Sequence, residues 1–296
     1  MTNDDGVSAP GLAALTRALV GWAGSEHEIV VVAPSSNYSG AGAAVGSVTD
    51  RTLIGYQRAT VEGAPGVEAY GLDASPALSV IAGALGAVGP KPDLVVSGIN
   101  HGVNVGRSVL HSGTVGAALT ASQLGISALA VSLRAGASPD PWESAADLAV
   151  ALLEPLCAAP ARTVLNLNVP ALPPGEIRGV RWARVSGAGL IKAARGSGWD
   201  APNSPEMEGP AAAEAARSTM EGDPDKGEIV LTVGSPFPRP EDADVGDDAT
   251  EDAALVAQGY AALTALRGPR ADEDPELIGL LDQALGRALA PFGFVD

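Results

Sequence analysis

The sequence predicts an α/β fold with a doubly wound, mostly parallel sheet of the Rossmann-like kind. Short apolar, β-branched runs alternate along the chain with longer segments of helical periodicity, which is the order found where helices connect parallel strands. The runs are also apolar at consecutive positions rather than at every second one. Strands of that composition are expected where helices cover both faces of a sheet.

The elements follow one another through the first 177 residues. Apolar side chains recur at helical spacing over 10–22, and Pro10 suits a first helical position. Four apolar runs are predicted as strands, and three later segments as helices. The strands are EIVVVAP (28–34), PDLVVSGIN (92–100), SALAVSL (127–133) and TVLNLNVP (163–170), and the helices are 75–88, 113–125 and 142–157.

The pattern changes after about residue 178. We therefore divide the chain into an α/β core, residues 1–177, and an appendage, residues 178–296, which is expected to be rich in β-hairpins and to serve oligomerisation. The core is expected to carry the functional site. The appendage is predicted to hold strands near 178–185, 227–236 and 258–266, a long Pro- and Gly-rich loop over 196–227, and a closing amphipathic helix over 275–292.

The composition and charge of the chain argue against several classes of function. The chain has 296 residues and a net charge of −17, which argues against binding to a nucleic-acid polymer or to an anionic membrane. No apolar run reaches transmembrane length, and the acidic N-terminus lacks the apolar region of a signal peptide, so a cytoplasmic location is expected. Cys157, the one cysteine, lies in an apolar helical pattern and is predicted to be a core residue.

Oxygen-bearing side chains cluster in three loops, each of which follows a position where a strand should end. Because the carboxyl ends of parallel strands lie along one edge of a sheet, these loops are expected to converge. Two carboxylates, a hydroxyl and an amide form a set suited to Mg²⁺, Mn²⁺ or Ca²⁺ rather than to zinc. The loops are 3–6, 35–46 and 97–108, and the candidate ligands are Asp4, Asp5, Ser39 and Asn100.

A phosphate seat is predicted where HSGTVGAAL opens the helix at 113–125. Backbone N–H groups and the positive helix end point there at whatever lies in front of them. A cation beside a phosphate seat suggests hydrolysis of a phosphate ester. The Asp-x-Asp spacing of haloacid-dehalogenase phosphatases is missing around Asp4 and Asp5, and neither a G-x-x-x-x-G-K-[ST] loop nor a G-x-S-x-G elbow occurs.

Four segments together resemble the SurE family (survival protein E), the metal-dependent 5′(3′)-nucleotidases. They are TNDDGVSAPGLAAL, VVAPSSNYSGAG, PDLVVSGINHGVNVGRSVLHSGTVGAA and LNLNVP. The resemblance implies that Asp4, Asp5, Ser39 and Asn100 hold one divalent cation, Mg²⁺ or Mn²⁺. It also implies phosphate contacts and a homodimer or homotetramer. The candidates for phosphate or substrate contact are Asn3, Asn104, Ser112, Gly113 and Thr114.

The residues are compatible with more than one catalytic base and more than one substrate class. Asp4 or Asp5 is expected to act as the catalytic base, but the residues do not say which. His101 and His111 lie beside the predicted site, where loop packing or a substrate contact is a better expectation than an acid role. The substrate could instead be another phosphorylated metabolite, or the chain could be a non-catalytic nucleotide or metal sensor.

The opening stretch MTNDDG raises a further expectation. The family normally has a short apolar strand immediately before NDDG, whereas only Met1 and Thr2 precede it here. The first strand is therefore expected to be missing or truncated. Either the start codon is assigned too late, or the chain lacks a core strand and holds its metal less firmly.

Overall fold

Parallel strands and covering helices alternate along the N-terminal part of the chain in the computed structural model. The structure describes residues 1–49, 51–136, 139–187, 191–195, 229–233, 237 and 250–268. The helices are α1 (Pro10–Ala23), α2 (Pro76–Ala84), α3 (Gly113–Gln123), α4 (Trp142–Ala151), α5 (Leu153–Ala158) and α6 (Asp252–Ala257), with 3₁₀ turns at Gly106–His111 and Pro174–Glu176.

Ten strands are described. They are β1 (Val30–Pro34), β2 (Tyr56–Arg58), β3 (Glu68–Leu72), β4 (Leu94–His101), β5 (Ser127–Leu133), β6 (Val164–Val169), β7 (Val180–Trp182), β8 (Ile191–Arg195), β9 (Ile229–Val233) and β10 (Ala261–Leu266). Five form a sheet in the order β4-β5-β6-β10-β7, three form a sheet in the order β1-β3-β2, and β8 pairs with β9.

Most of the pairing is parallel. β1 runs parallel to β3, and β4, β5 and β6 run parallel to one another, whereas β2 and β10 are antiparallel to β3 and β6. The predicted α/β architecture with a mostly parallel sheet is therefore confirmed. Strands β7 and β10, which lie beyond the predicted boundary at 177, belong to the same sheet as β4–β6. The division of the chain into two parts stays a prediction.

Met1 and Thr2 lie between β1 and β4 and connect the two larger sheets. The carbonyl of Met1 accepts a hydrogen bond from Val32 N at 2.8 Å, and Thr2 N donates to Val96 O at 3.0 Å. Thr2 also forms a parallel bridge with Ser97. These two residues thus occupy the position of a strand between β1 and β4, and the truncation of that strand stays a prediction.

Alternate residues of the central strands face two different apolar clusters. On β4, Val96 packs with α1 and α4 residues, whereas its neighbour Val95 packs with α2 and α3 residues. β5 divides in the same way, with Leu129 in the first cluster and Ala128 in the second. Because successive strand residues point to opposite faces, this division places helices on both sides of the sheet.

Helix α1 lies close to the sheet next to the predicted functional site. A Cβ atom on Gly11 would lie 2.1 Å from the backbone oxygen of Ile99, so any larger residue there would push the helix away. The start of α1 is formed by Pro10 at a first-turn position, as the sequence predicts. The loop that precedes α1, which includes Asp4 and Asp5, is thereby held against the end of β4.

Some details differ from the sequence predictions. The segment predicted as one helix over 142–157 forms α4 and α5 on either side of Leu152. The prediction that Cys157 is a core residue is wrong, because its side chain is exposed. Strands β2 and β3 and helix α6 were not predicted. The loop over 196–227 and the helix over 275–292 lie outside the described residues.

The described part of the chain falls almost wholly within one unit, Met1–Leu266. A second unit, Arg267–Asp296, contains only two described residues. Among the helices that the structure describes, none combines the length and the apolar character that crossing a bilayer requires.

Candidate functional site

Backbone and side-chain hydrogen bonds bring the three oxygen-rich loops together around Asp4 and Asp5. The carbonyl of Asp4 accepts a bond from Tyr38 N at 2.7 Å. The carboxyl group of Asp5 accepts bonds from Asn37 Nδ2 at 3.3 Å and from His101 N at 3.2 Å. The first loop is therefore tied directly to the loop after β1 and to the end of β4, as the sequence predicts.

Asp4 lies at the bottom of this cluster. Its side chain is 3% exposed, and its Oδ1 accepts a hydrogen bond of 2.5 Å from the hydroxyl of Thr114. Burial raises the pKa of Asp4 above its ordinary value; the Thr114 hydroxyl opposes this shift, and the negative charge of Asp5 adds to it. A buried carboxyl group beside a second carboxyl group would be stabilised as a carboxylate by a nearby cation.

Asn100 and Ser39 complete the predicted ligand set. Asn100 donates from Nδ2 to Gly102 O at 2.6 Å, so its amide nitrogen is engaged within the loop and its oxygen is the atom suited to a cation. Ser39 is held at its backbone, where Ser39 N donates to Asn37 Oδ1 at 2.8 Å. Asn37 contacts both Ser39 and Asp5, which links the second loop to the carboxyl pair.

The chemistry of these residues fits a hard divalent cation. Two carboxyl groups with neutral amide and hydroxyl oxygens are the ligand types that Mg²⁺ and Mn²⁺ accept, with positions left for water and substrate. Within the described ranges no group of three or more His, Cys, Asp or Glu side chains could hold a metal ion. A cation here would therefore depend on the neutral oxygens as well as on Asp4 and Asp5.

The start of α3 faces the same cluster. Ser112 is the N-cap, and its hydroxyl accepts a bond from Val115 N at 3.1 Å. A Cβ on Gly113 would lie 2.7 Å from the Cβ of Asp4, so the absence of a side chain lets the helix end approach the carboxyl pair. The N–H groups of this first turn include the donors predicted to form a phosphate seat, and that of Val115 is already engaged by the cap.

The side chains of Asn3 and Asn104 both form hydrogen bonds within the protein. Asn3 is fully buried, donates to Gly6 O at 2.9 Å and accepts from Gly6 N at 3.2 Å. This geometry gives Asn3 a bracing role in the turn that carries the two aspartates. Asn104 is 7% exposed, and its Nδ2 donates to Ser132 Oγ at 2.8 Å. Phosphate contact by either residue stays a prediction.

Sequence reasoning missed a buried polar layer beneath the loop after β4. Asn168 Oδ1 accepts from Asn104 N at 2.7 Å, and the amide groups of Asn166 and Asn168 both donate to Asn104 O, at 3.0 and 3.1 Å. All three asparagines are buried. The available signal was LNLNVP, where two amides stand two residues apart and so on one face of an otherwise apolar strand.

The two histidines beside the site differ in their contacts. His101 is exposed, and its Nε2 lies 3.2 Å from Asp140 Oδ2. Its ring also lies 5.6 Å from that of Trp142, at 51°. His111 is exposed at the end of the 3₁₀ turn, and its carbonyl accepts from Gly42 N at 3.0 Å. Loop packing is thus the role that these contacts give to both residues.

Comparison with known proteins agrees with this geometry. The family model described as "Survival protein SurE" matches residues 1–190. The chain is 42% identical to the 5′-nucleotidase SurE of Methylococcus capsulatus over 187 residues, which are 62% of this chain and 69% of the relative. It is 32% identical to the 5′-nucleotidase SurE of Aeromonas hydrophila over 268 residues, 90% of each chain.

The fold has a counterpart among solved structures. The crystal structure of the SurE protein from Aquifex aeolicus superposes with a TM-score of 0.65 at 24% identity, over 96% of this chain and 98% of that one. At that identity the likeness shows the fold alone. With the family match over residues 1–190 and relatives above 30% identity that the chain covers by more than two thirds, the chain belongs to the SurE family.

Proposed function

We propose that this chain is a metal-dependent phosphomonoesterase that hydrolyses nucleoside 5′-monophosphates, and 3′-monophosphates, to nucleoside and phosphate. It is an enzyme of the 5′-nucleotidase class, in keeping with its SurE relatives, which are named 5′-nucleotidase or 5′/3′-nucleotidase. One divalent cation, Mg²⁺ or Mn²⁺, would be held by Asp4, Asp5, Ser39 and Asn100.

One observation carries the proposal: the buried carboxyl group of Asp4 lies directly against the first turn of α3. Thr114 donates to Asp4 Oδ1 at 2.5 Å, and Gly113 leaves no side chain between the helix end and the aspartate. A cation on the aspartates and a phosphate on the N–H groups of Ser112–Thr114 would therefore be neighbours. That juxtaposition suits a phosphate ester, whose phosphoryl group could contact the cation and the helix end together.

Different groups of the protein would support different parts of the reaction. When bound, the cation would supply Lewis-acid stabilisation of the phosphoryl group and a water of lowered pKa. The N–H groups at the start of α3 would stabilise the negative charge on the phosphoryl oxygens. Thr114 holds Asp4 in its orientation, and Asn37 and the His101 amide hold Asp5. A carboxyl group of this pair would accept the proton of the attacking water.

The test is hydrolysis of a panel of nucleoside 5′- and 3′-monophosphates, with and without metal. Chelator is expected to abolish phosphate release, and Mn²⁺ or Mg²⁺ is expected to restore it. Asp5→Ala is expected to be inactive with either cation, because it removes half of the carboxyl pair. Full activity of Asp5→Ala in metal-free buffer would refute the proposal.

Two alternatives are separated by the same panel. If nucleotides are poor substrates but sugar phosphates or other phosphorylated metabolites turn over with metal, the chemistry stands and the substrate class changes. If nucleotides bind without turnover, the chain is a sensor rather than an enzyme. The SurE relatives, which are named 5′-nucleotidase or 5′/3′-nucleotidase, favour the hydrolase over the sensor.

The assembly and location of the protein belong to this proposal as well. We infer a cytoplasmic homodimer or homotetramer in which the appendage, residues 178–296, makes subunit contacts. Exposed apolar side chains on edge strand β7, Val180 and Trp182, support this inference, as they are 44% and 66% exposed. Light scattering with Trp182→Glu, expected to lower the oligomeric state, tests it.

A further inference from the structure

A buried carboxyl group far along the chain touches the loop that leads into the phosphate seat. Asp252, the first residue of α6, is fully buried, and its Oδ2 accepts a hydrogen bond from Gly106 N at 2.9 Å. Gly106 begins the 3₁₀ turn that ends at His111, directly before the cap residue Ser112. A single side chain therefore connects the C-terminal part of the described chain to the approach to α3.

The other oxygen of Asp252 is also fully engaged. Oδ1 accepts from Ser186 N at 3.0 Å and from Ala253 N at 2.8 Å. Asp252 N donates in turn to Arg184 O at 2.9 Å. Three N–H groups thus converge on one buried carboxyl group, and two of them belong to segments distant in sequence. A carboxyl group that was needed only to cap its own short helix would not require the Gly106 contact.

Asn168, on β6, holds the same segment at Asn104. Its Oδ1 accepts from Asn104 N, and its Nδ2 donates to Asn104 O. The backbone between residues 104 and 106 is therefore fixed at three polar groups by side chains of β6 and α6. This segment lies between Asn100, a candidate cation ligand, and Ser112, the start of the seat. Its position decides how the two halves of the site meet.

We propose that Asp252 is a positioning residue for the phosphate seat and acts together with Asn168. It sets the register between the cation ligands at the end of β4 and the first turn of α3, without touching substrate. This inference rests on the proposed phosphatase function and extends it to the part of the chain beyond residue 177. A shift of about 1 Å at a reacting group can cost about 10²-fold in rate, so kcat should respond strongly.

Asp252→Asn is the main variant. The asparagine side chain keeps one oxygen that can accept a hydrogen bond, but an NH₂ group replaces the other oxygen. That NH₂ group would face the backbone N–H of either Gly106 or Ser186, and the buried N–H would lose its acceptor. Glu251→Gln is the matched control, because it makes the same chemical change one residue earlier, on an exposed side chain. Far- and near-ultraviolet circular dichroism at the assay temperature establishes that each variant is folded.

Three quantities are measured on the folded proteins: kcat for a nucleoside monophosphate, the Kd of inorganic phosphate and the Kd of Mn²⁺. For Asp252→Asn we expect kcat to fall about 10- to 100-fold and phosphate to bind more weakly. The Kd of Mn²⁺ is expected to stay within about twofold, because all four proposed cation ligands are kept. Glu251→Gln is expected to match the wild type in all three.

A lower melting temperature with unchanged kcat and unchanged phosphate affinity would overturn the proposal, since it would make Asp252 purely structural. An equal loss of Mn²⁺ and phosphate affinity would also overturn it, because the whole site would then have collapsed. If Asp252→Asn does not fold, Asn168→Ser tests the same segment from β6, with the same expected separation of phosphate from Mn²⁺ affinity and the same contrary results.

The phosphate titration separates this inference from the proposed function. If the wild type binds phosphate but hydrolyses no nucleotide, the proposed function fails, while weaker phosphate binding by Asp252→Asn still supports the positioning role. If the wild type binds no phosphate in the presence of Mn²⁺, the positioning role fails as well.

Discussion

At the scale of single residues, the site holds a carboxyl group, that of Asp4, in a buried position that disfavours its charged form. Asp4 is placed where water is excluded and a second carboxyl group is close, and both conditions raise its pKa. The protein stabilises the ionised form only in part, through the hydroxyl of Thr114. In the proposed function, a bound cation would supply the rest of that stabilisation.

Asp4→Asn is expected to separate stability from activity. The folded-state pKa of Asp4 lies above its unfolded value, so the metal-free wild type loses stability as pH rises through that folded pKa. The neutral amide avoids this loss. In chelator we expect Asp4→Asn to be at least as stable as the wild type at pH 8, with the gap narrowing toward pH 4, although the variant is inactive.

Urea unfolding at several pH values measures this difference. Asp147→Asn, which changes an exposed carboxyl group on α4, is the control, and its stability should match that of the wild type at every pH. A metal-free Asp4→Asn protein that is clearly less stable than the wild type at pH 8 would contradict the burial argument.

Thr114→Val tests the hydrogen bond itself. The replacement keeps the shape of the side chain and removes the donor to Asp4 Oδ1, so the carboxyl group is left less well oriented and harder to ionise. We expect kcat to fall about 10²-fold, the loss that misplacing a group of the site by about 1 Å can cause. The control is Thr120→Val on the same helix, which loses only a hydrogen bond to Gly116 O and should keep near wild-type activity. An equal fall in kcat in both variants would argue against a specific role of Thr114.

At the scale of elements, the close approach of α3 to the first loop depends on small residues. Gly113 faces Asp4, and a Cβ on Gly116 would lie 2.4 Å from the backbone oxygen of Gly42. Both glycines have ordinary helical backbone, so it is space rather than backbone freedom that excludes a side chain. The helix end can thus lie against the two loops that carry Asp4 and Ser39.

Gly113→Ala is expected to displace α3 from Asp4 and to lower kcat at least tenfold, since its Cβ would lie 2.7 Å from a Cβ that cannot rotate away. Gly83→Ala in α2 is the control, because its nearest neighbour would be Val32 at 3.8 Å. It should be active, and more stable by up to about 1 kcal/mol. Activity assays and thermal melts measure both variants, and a fully active Gly113→Ala protein would refute the close-approach argument.

At the scale of the whole molecule, a cation should couple the site to global stability. The carboxyl pair is held by elements from both halves of the α/β unit, and unfolding disperses them. Mn²⁺ at a hundred times its Kd is therefore expected to stabilise the folded protein by about 2.7 kcal/mol. Differential scanning fluorimetry should show a rise in melting temperature for the wild type and for Asp147→Asn, and none for Asp5→Asn.

Much of the fold could be predicted, because the hydrophobic pattern identifies the main helices and strands and their order along the chain indicates a parallel sheet. Helix α1, strands β1 and β4–β6 and helix α3 are found where long, periodic or uniformly apolar segments predict them. Strands β2 and β3 were missed because three exposed residues and a short run containing Gly71 give no periodic signal. The break between α4 and α5 at Leu152 follows from packing, which local propensity does not report.

Motif order and spacing are enough to identify the family and to name the candidate residues of the site. Motif spacing does this because oxygen donors at strand ends must meet at one sheet edge. Which groups contact one another is visible only in the folded chain, where Thr114 donates to Asp4 and Asn3 braces its turn. The contact of Asp252 with Gly106, across 146 residues, is of the same kind. Such contacts depend on long-range packing and burial, which leave no period or spacing in the chain.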